Sequence, residues 1–333
     1  MADKKDLKGK ENIRFDFIGR MNQGFTISGI AMLVALACLI GVGLNYGIDF
    51  KGGSIFHYRF EKEISEEKVR TLLKDSVLKQ ELGEVVVQRV IGEVDLNLTG
   101  DKDKKELEKK SGSEFIIHTE ASREVTESED IEPKIEALFK SGDLGPFEKM
   151  QRQFIGPTVG AQLQSKAMLA LIVAIMGIML YISIRFEFAH AVAAVAALVH
   201  DTMFVLGLFA ILQKEVNIGI MAALLTIIGY SLNDSIVVLD RIRENSRLKA
   251  RLPYDFRVNL SINQSLSRTI NTSVTTLLAV MALLVLGGVV IRDFALAMTI
   301  GVLIGTYSSI FIVSPILVVW YYRAHPNAPR ACS

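Results

Sequence analysis

Six long apolar blocks, 25–46, 167–184, 188–212, 216–239, 270–291 and 294–322, alternate with polar stretches along the chain. A helix needs roughly 20 largely apolar residues to cross a bilayer, so the pattern predicts six transmembrane helices. The first block is too long for a cleaved signal peptide, whose apolar region is short. Residues 47–165, between the first two blocks, have another texture. The 53–60 stretch is β-prone, 64–78 has helical spacing, 84–98 alternates and is rich in valine, and 114–119 is again β-prone. A second helix is predicted at 131–139 and a last strand at 147–155. The order β-α-β-β-α-β is that of the ferredoxin-like split βαβ unit. The charged 99–112 stretch reads as a hairpin tip.

The pattern therefore divides the chain into a polar head (1–24), a first transmembrane helix (25–46), a small α+β domain (47–165), five further transmembrane helices (166–322) and a tail (323–333). Residues 240–269 read as a polar connection between the fourth and fifth helices. Composition agrees with this division: half of the 333 residues are apolar and the mean hydropathy is +0.35. A net charge of +1 argues against a nucleic-acid binder with a broad basic face. Two cysteines, Cys38 and Cys332, cannot make a disulfide framework. The chain contains no GxxxxGK[ST], HExxH, GxSxG or CxxC run, which argues against an ATPase, a zinc protease and a simple serine hydrolase.

Charge changes the picture most through its placement. Short loops rich in Lys and Arg stay on the cytoplasmic side. The head (Lys4, Lys5, Lys8, Lys10, Arg14, Arg20), Arg185, the 240–269 connection and the tail carry sixteen such residues, whereas the opposing turns carry two, Lys214 and Arg292. Both termini are expected inside and residues 47–165 outside.

Charged residues within the apolar blocks need a reason, because each costs roughly 2.5–3.5 kcal/mol at the bilayer centre. Asp201 falls near the middle of the third block and Asp234 within Tyr230-Ser-Leu-Asn-Asp234-Ser235 of the fourth. At about 1.5 Å per residue, Asp234 lies about 27 Å from the start of its block, near the depth where Arg268 enters on the next helix. The two can form a proton-sensitive pair; alternatively Arg268 only snorkels to the headgroups. Asp201 pairs with His200 or makes a helix–helix hydrogen bond. Asp293 lies at an outer turn, and Arg241 and Arg243 read as anchors. Gly301 and Gly305 form a GxxxG run, and with Gly219 and Gly229 they predict close helix approach.

Several runs resemble the SecD/SecF family of protein-export membrane proteins. Gly47-Ile-Asp49-Phe50-Lys-Gly52-Gly53 matches its GxDFxGG motif, and Gly156-Pro157-Thr-Val-Gly160 its GPxxG segment. His200-Asp201, the run from Gly229 to Asn245 and the run from Asn263 to Ser273 resemble the SecF branch. The resemblance implies one six-helix half of a pseudo-symmetric bundle like that of the resistance-nodulation-division transporters, carrying a small periplasmic ferredoxin-like domain. It implies a non-enzymatic, multi-pass protein of the bacterial inner membrane. Such a chain works with SecD, the SecYEG channel and YajC on secretory polypeptides. Protons are its coupling ion, and no other cofactor or metal is implied. Asp234 and Arg268 then carry over as proton-relay residues, with Asp201 and Asp293 beside them. Asp49 is expected in a turn or cap, at a junction where the paired glycines allow a sharp turn. Motion of the relay is expected to reach the exported domain through the first and second spans. A transporter half for small molecules or lipids, and a purely structural subunit, are the rival readings.

Overall fold

The computed structural model describes residues 13–74, 85–90, 113–120 and 131–331. Six of its helices are long and apolar enough to cross a membrane. The first runs from a 3₁₀ turn (Ile18–Arg20) into α1 (Met21–Gly41). It ends before residue 46, the expected limit. Gly43 turns the chain with φ +80° and donates its N–H to Cys38 O at 3.1 Å, a left-handed closure that glycine permits. Asn45–Tyr46 is instead a two-residue strand, β1, followed by a single helical turn, α2 (Ile48–Lys51).

The domain then follows as β2 (Gly53–Phe60), α3 (Glu66–Lys74), β3 (Val85–Val90), β4 (Ser113–Glu120), α4 (Ile131–Ser141) and β5 (Phe147–Ile155). Every pairing is antiparallel and the spatial order is β3-β4-β2-β5. The strand entered directly from α2 is therefore central. Alternation along β2 sends Phe56, Tyr58 and Phe60 into one core with Val69 and Leu73 of α3 and Ile135 and Phe139 of α4. On the opposite side His57 and Arg59 meet Glu114 of β4. The strand expected over 84–98 is described only at Val85–Val90. Residues 99–112, Lys4, Lys5, Lys8, Lys10 and Cys332 lie outside the described residues.

The remaining spans are α5 (Pro157–Arg185), α6 (Phe188–Leu212), α7 (Ile218–Leu248) and α8 (Tyr254–Leu286). A short strand, β6 (Glu215–Val216), precedes α7 and pairs in parallel with β1. The last span joins α9 (Val289–Ser308), a wide π-type turn (Ser309–Val313) and α10 (Ser314–Ala324). Pro315 accounts for the wide turn, since a proline ring cannot enter the regular ladder. The polar connection expected at 240–269 is a correction: only residues 249–253 separate α7 from α8. Polarity does not end these helices, because their polar ends satisfy each other. Asn245 Nδ2 donates to Ser261 Oγ and Gln264 Oε1, both at 2.8 Å, and Arg241 Nε donates to Gln264 Oε1 at 2.7 Å.

Small residues set the helix spacing, as they do in lipid where apolar area gives no drive to associate. A Cβ on Gly301 would lie 2.3 Å from Ile227, and one on Gly305 would lie 3.1 Å from Ser231, so the GxxxG run seats α9 on α7. Gly207 of α6 meets Ala35 of α1 as closely, a contact the sequence did not announce. Gly219 and Gly229 have no such role among the described residues of this chain: a Cβ on Gly219 would meet only Asn217, and one on Gly229 nothing within 4 Å.

Candidate functional site

A polar seam runs through the apolar helices. Asp201 of α6 is 1% exposed. Its Oδ1 lies 3.0 Å from His200 Nδ1, and its Oδ2 accepts from Ser231 Oγ of α7 at 2.6 Å and Ser308 Oγ of α9 at 2.7 Å. The pair with His200 and the interhelical hydrogen bond, alternatives from sequence, both form. Asp201 thereby ties three helices.

Asp234 of α7 is equally buried but far less satisfied. Thr272 Oγ1 of α8 donates to its Oδ1 at 3.5 Å, the outer limit for a hydrogen bond. Its Oδ2 has no hydrogen-bond partner among the described residues, and neither do the buried Ser235 Oγ and Thr269 Oγ1. One helical turn earlier, Tyr230 O–H donates to Ser273 Oγ at 3.3 Å, and Ser273 in turn meets Thr306 Oγ1 of α9 at 2.7 Å. A carboxylate accepts only, whereas its protonated form also donates. Gain or loss of a proton at Asp234 therefore changes what the facing hydroxyls on α8 must supply.

No direct ion pair joins Asp234 and Arg268, although the charge of Arg268 acts on Asp234 from one helical turn before Thr272. Arg268 is exposed, and no ion pair within 4.0 Å joins it to Asp234. The buried ridge of α8 runs through Ser265, Thr269 and Ser273. Arg268 stands about 100° around the helix from Thr269, and it falls on an open flank with Asn271 and Thr275. The adjoining flank of α7 is likewise open at Thr226, Gly229 and Asn233. Asp293 is not in the seam either. It pairs with Lys214 Nζ at 2.9 Å, at the end of the bundle nearest the domain. Arg241 pairs with Glu244, and Arg243 reaches Arg185 O and the Phe186 ring, as anchors would.

The two glycine motifs meet at the junction of domain and bundle. Gly52 and Gly53 have φ of +81° and +150°. Side chains there would also collide: a Cβ on Gly52 would sit 2.7 Å from Pro157 Cα, and one on Gly53 would sit 2.3 Å from Thr119 O. A Cβ on Gly160 would approach Phe50 O to 2.8 Å. The chain thus turns sharply at α2 while packing on the first turn of α5, where Gly156 O accepts from Gly160 N. Asp49 is a cap, but for another helix: its Oδ2 accepts from Ile218 N, the first residue of α7, at 3.0 Å.

Sequence reasoning missed Ser308 and Thr306 in the last span, although the run Thr306-Tyr-Ser-Ser309 is a polar interruption that marks them. It also missed the first turns of α8. There Asn259 Oδ1 accepts from Phe17 N at 2.8 Å, Asn263 Oδ1 from Phe15 N at 2.9 Å, and Asp255 Oδ1 from Tyr322 O–H at 3.0 Å. Read as a loop, Asp255 and Asn259 carried no signal, and Asn263 carried only that of the family resemblance.

Fold and site together define a multi-pass membrane protein with a small α+β domain set between its first and second spans and a buried carboxylate seam beyond it. Comparison with known proteins gives the class a family. The model for "Protein export membrane protein SecD/SecF, C-terminal" matches residues 134–323, and that for "SecD/SecF GG Motif" matches 39–64. Protein translocase subunit SecF of Calditerrivibrio nitroreducens is 38% identical over 313 residues, 92% of this chain and 94% of that protein. SecF of Magnetococcus marinus is 40% identical, covering 92% and 91%. Protein translocase subunit SecDF of Thermus thermophilus is 39% identical across 93% of this chain, which spans only 39% of that longer protein. A crystal structure of Thermus SecDF, a translocon-associated membrane protein, superposes with a TM-score of 0.76 at 37% identity, again covering 93% of this chain and 39% of that one. The chain belongs to the SecD/SecF family of protein-export membrane proteins.

Proposed function

We propose that the chain is the SecF-type subunit of a bacterial protein translocase and uses the proton gradient, together with SecD, to promote export of secretory polypeptides. The match to proteins named SecF along nearly their whole length carries this reading. The Thermus relative, in which the corresponding segment is part of one SecDF chain, favours SecD as the partner. Open polar flanks on α7 and α8 suit a second six-helix half packing there, since polar groups facing lipid are costly. SecYEG and YajC complete the assembly. The charge bias of sixteen against two supports an orientation with both termini on the cytoplasmic side of the inner membrane and the domain outside. Strand order β3-β4-β2-β5 with two helices supports reading the domain as a ferredoxin-like unit.

In this reading Asp234 binds and releases the coupling proton, its partners shift between α7 and α8, and the helices repack. One charge crossing 100 mV is worth about 2.3 kcal/mol, enough to bias a two-state change of a few kcal/mol. Arg268 acts from the open flank, facing the partner half. Asp201 holds the helices together, and Asp293 has a minor part at the outer turn. The test is export of a secreted reporter into vesicles containing SecD and the channel, with and without this chain and a protonophore. Export should rise several-fold only with both chain and gradient. Export indifferent to the gradient would overturn the reading and favour a structural subunit. Gradient-driven movement of a small solute without export would favour a transporter half.

A further inference from the structure

We infer that Asp49 couples the helix bearing Asp234 directly to the exported domain, by gripping the first turn of α7 from within the Gly47–Gly53 motif. The inference rests on the proton-driven reading above and changes its route: motion reaches the domain through α7 as well as through the first and second spans.

Three contacts make the grip. Asp49 Oδ2 accepts the Ile218 N–H at 3.0 Å, one of the N–H groups that a helix cannot satisfy internally. Gly47 N donates to Val216 O at 2.9 Å, extending the β1–β6 pairing of Asn45 with Glu215 and Tyr46 with Val216. Phe50, 5% exposed, is packed in the same apolar cluster as Val216, Ile220 and Leu224 of the α7 entry. The cap suits its place, because a carboxylate is favoured at the positive end of a helix. Asn217 caps Ile220 N at 3.0 Å separately, so α7 would not lose all its capping with Asp49.

The other end of the grip is equally short. Two residues after Phe50, Gly52 and Gly53 lead straight into β2, the central strand of the domain sheet. Both glycines are hemmed in by Pro157 and by the Thr119 carbonyl, which leaves little slack between α2 and the sheet. A displacement of the α7 entry is therefore passed to the middle of the domain through four helical residues. In the 1–333 chain Asp49 lies 185 residues from Asp234, yet it caps the very helix that carries it.

The experiment compares wild-type, Asp49→Ala and Asp49→Asn chains in the complete complex with SecD and the channel. Spin labels at Lys140 on the domain and Arg292 in the first turn of α9 report the spread of the domain–bundle distance, and reporter export reports gradient stimulation. Asp49→Ala should broaden the distance distribution and lower gradient-stimulated export about fivefold, the scale of a lost N-terminal cap. Asp49→Asn, whose amide oxygen still accepts the N–H, should restore both. An unchanged distance distribution in Asp49→Ala would overturn the inference, as would a broadened one with full stimulation. Equal loss in Asn and Ala would overturn it too, by making the charge itself, not the cap, the essential feature. Wild-type export without gradient stimulation would instead defeat the proton-driven reading, and the coupling with it.

Discussion

The small α+β domain and the helical bundle bury carboxylates in opposite ways. In the domain, Glu132 of α4 is 8% exposed and meets both Lys149 and Arg152 of β5, the latter at 2.7 Å. Burial pushes its acid strength one way, but the two cations outweigh that and hold the carboxyl below the ordinary glutamate value of 4.5. In the bundle, Asp234 has one hydroxyl at 3.5 Å and an oxygen with no partner among the described residues. The cores differ to match. Phe56, Tyr58, Phe60, Phe115 and Phe139 fill the domain, with ring centroids 5.2–6.3 Å apart. The bundle packs on Ala193, Ala194, Ala197, Gly301 and Gly305, with serines between. Water rewards burial of aromatic area, whereas in lipid helices associate through close backbones and hydrogen bonds. A charge left without partners is a cost that a purely structural core would have removed. Its presence in the bundle is the observation on which the proposed proton-binding role of Asp234 rests.

The sharpest test of the contrast is Asp234→Asn. It keeps size and hydrogen-bonding capacity but removes the titratable group, so gradient-stimulated export of a reporter should fall to the level without a gradient. Assembly with SecD, read by co-purification, should be intact; a poorly assembled complex would make Asp234 a structural residue instead. Phe139→Ala attacks the other core and should destabilise the domain by about 3–5 kcal/mol. Susceptibility of the domain to limited proteolysis in the intact complex should rise while the spans stay protected. Simultaneous loss of both regions would mean that they do not have separate cores.

Gly301→Val breaks the bundle by its own rule. The added side chain meets Ile227, and overpacking costs about 1–3 kcal/mol. The thermal transition of the detergent-solubilised chain by itself should fall, and Gly229→Ala, whose added Cβ meets nothing within 4 Å in this chain, should leave it unmoved. The smallest effect concerns pH. A carboxyl held below its unfolded value stabilises the fold fully above that value and loses the contribution as pH falls through the folded one. Domain stability should therefore decline as pH drops below about 4.5, and Glu132→Gln should flatten that acid limb. An unchanged limb would mean that Lys149 and Arg152 contribute nothing there.

Much of this was legible in the residues themselves. Six spans followed from apolar length, and the strand–helix order of the domain followed from period alone, because burial against one face imposes alternation on strands and helical spacing on helices. Asp201, Asp234 and the GxDFxGG run stood out because charge and paired glycine are expensive where they lie. What the residues could not show was partnership. Arg268 lies one turn before Thr272 on α8 and its charge acts on Asp234, but it is Thr272 that makes the direct contact while the Arg268 side chain stays exposed. The polar run 240–269 looked like a loop until the ends of α7 and α8 were seen to satisfy each other across Asn245 and Ser261. Asp49 looked like a local cap and proved to cap a helix that begins 169 residues later. Composition and period act within one element, and one chain segment suffices to express them. Which polar group answers which is decided only when helices distant in sequence are packed at a fixed rotation, and that information belongs to the tertiary structure.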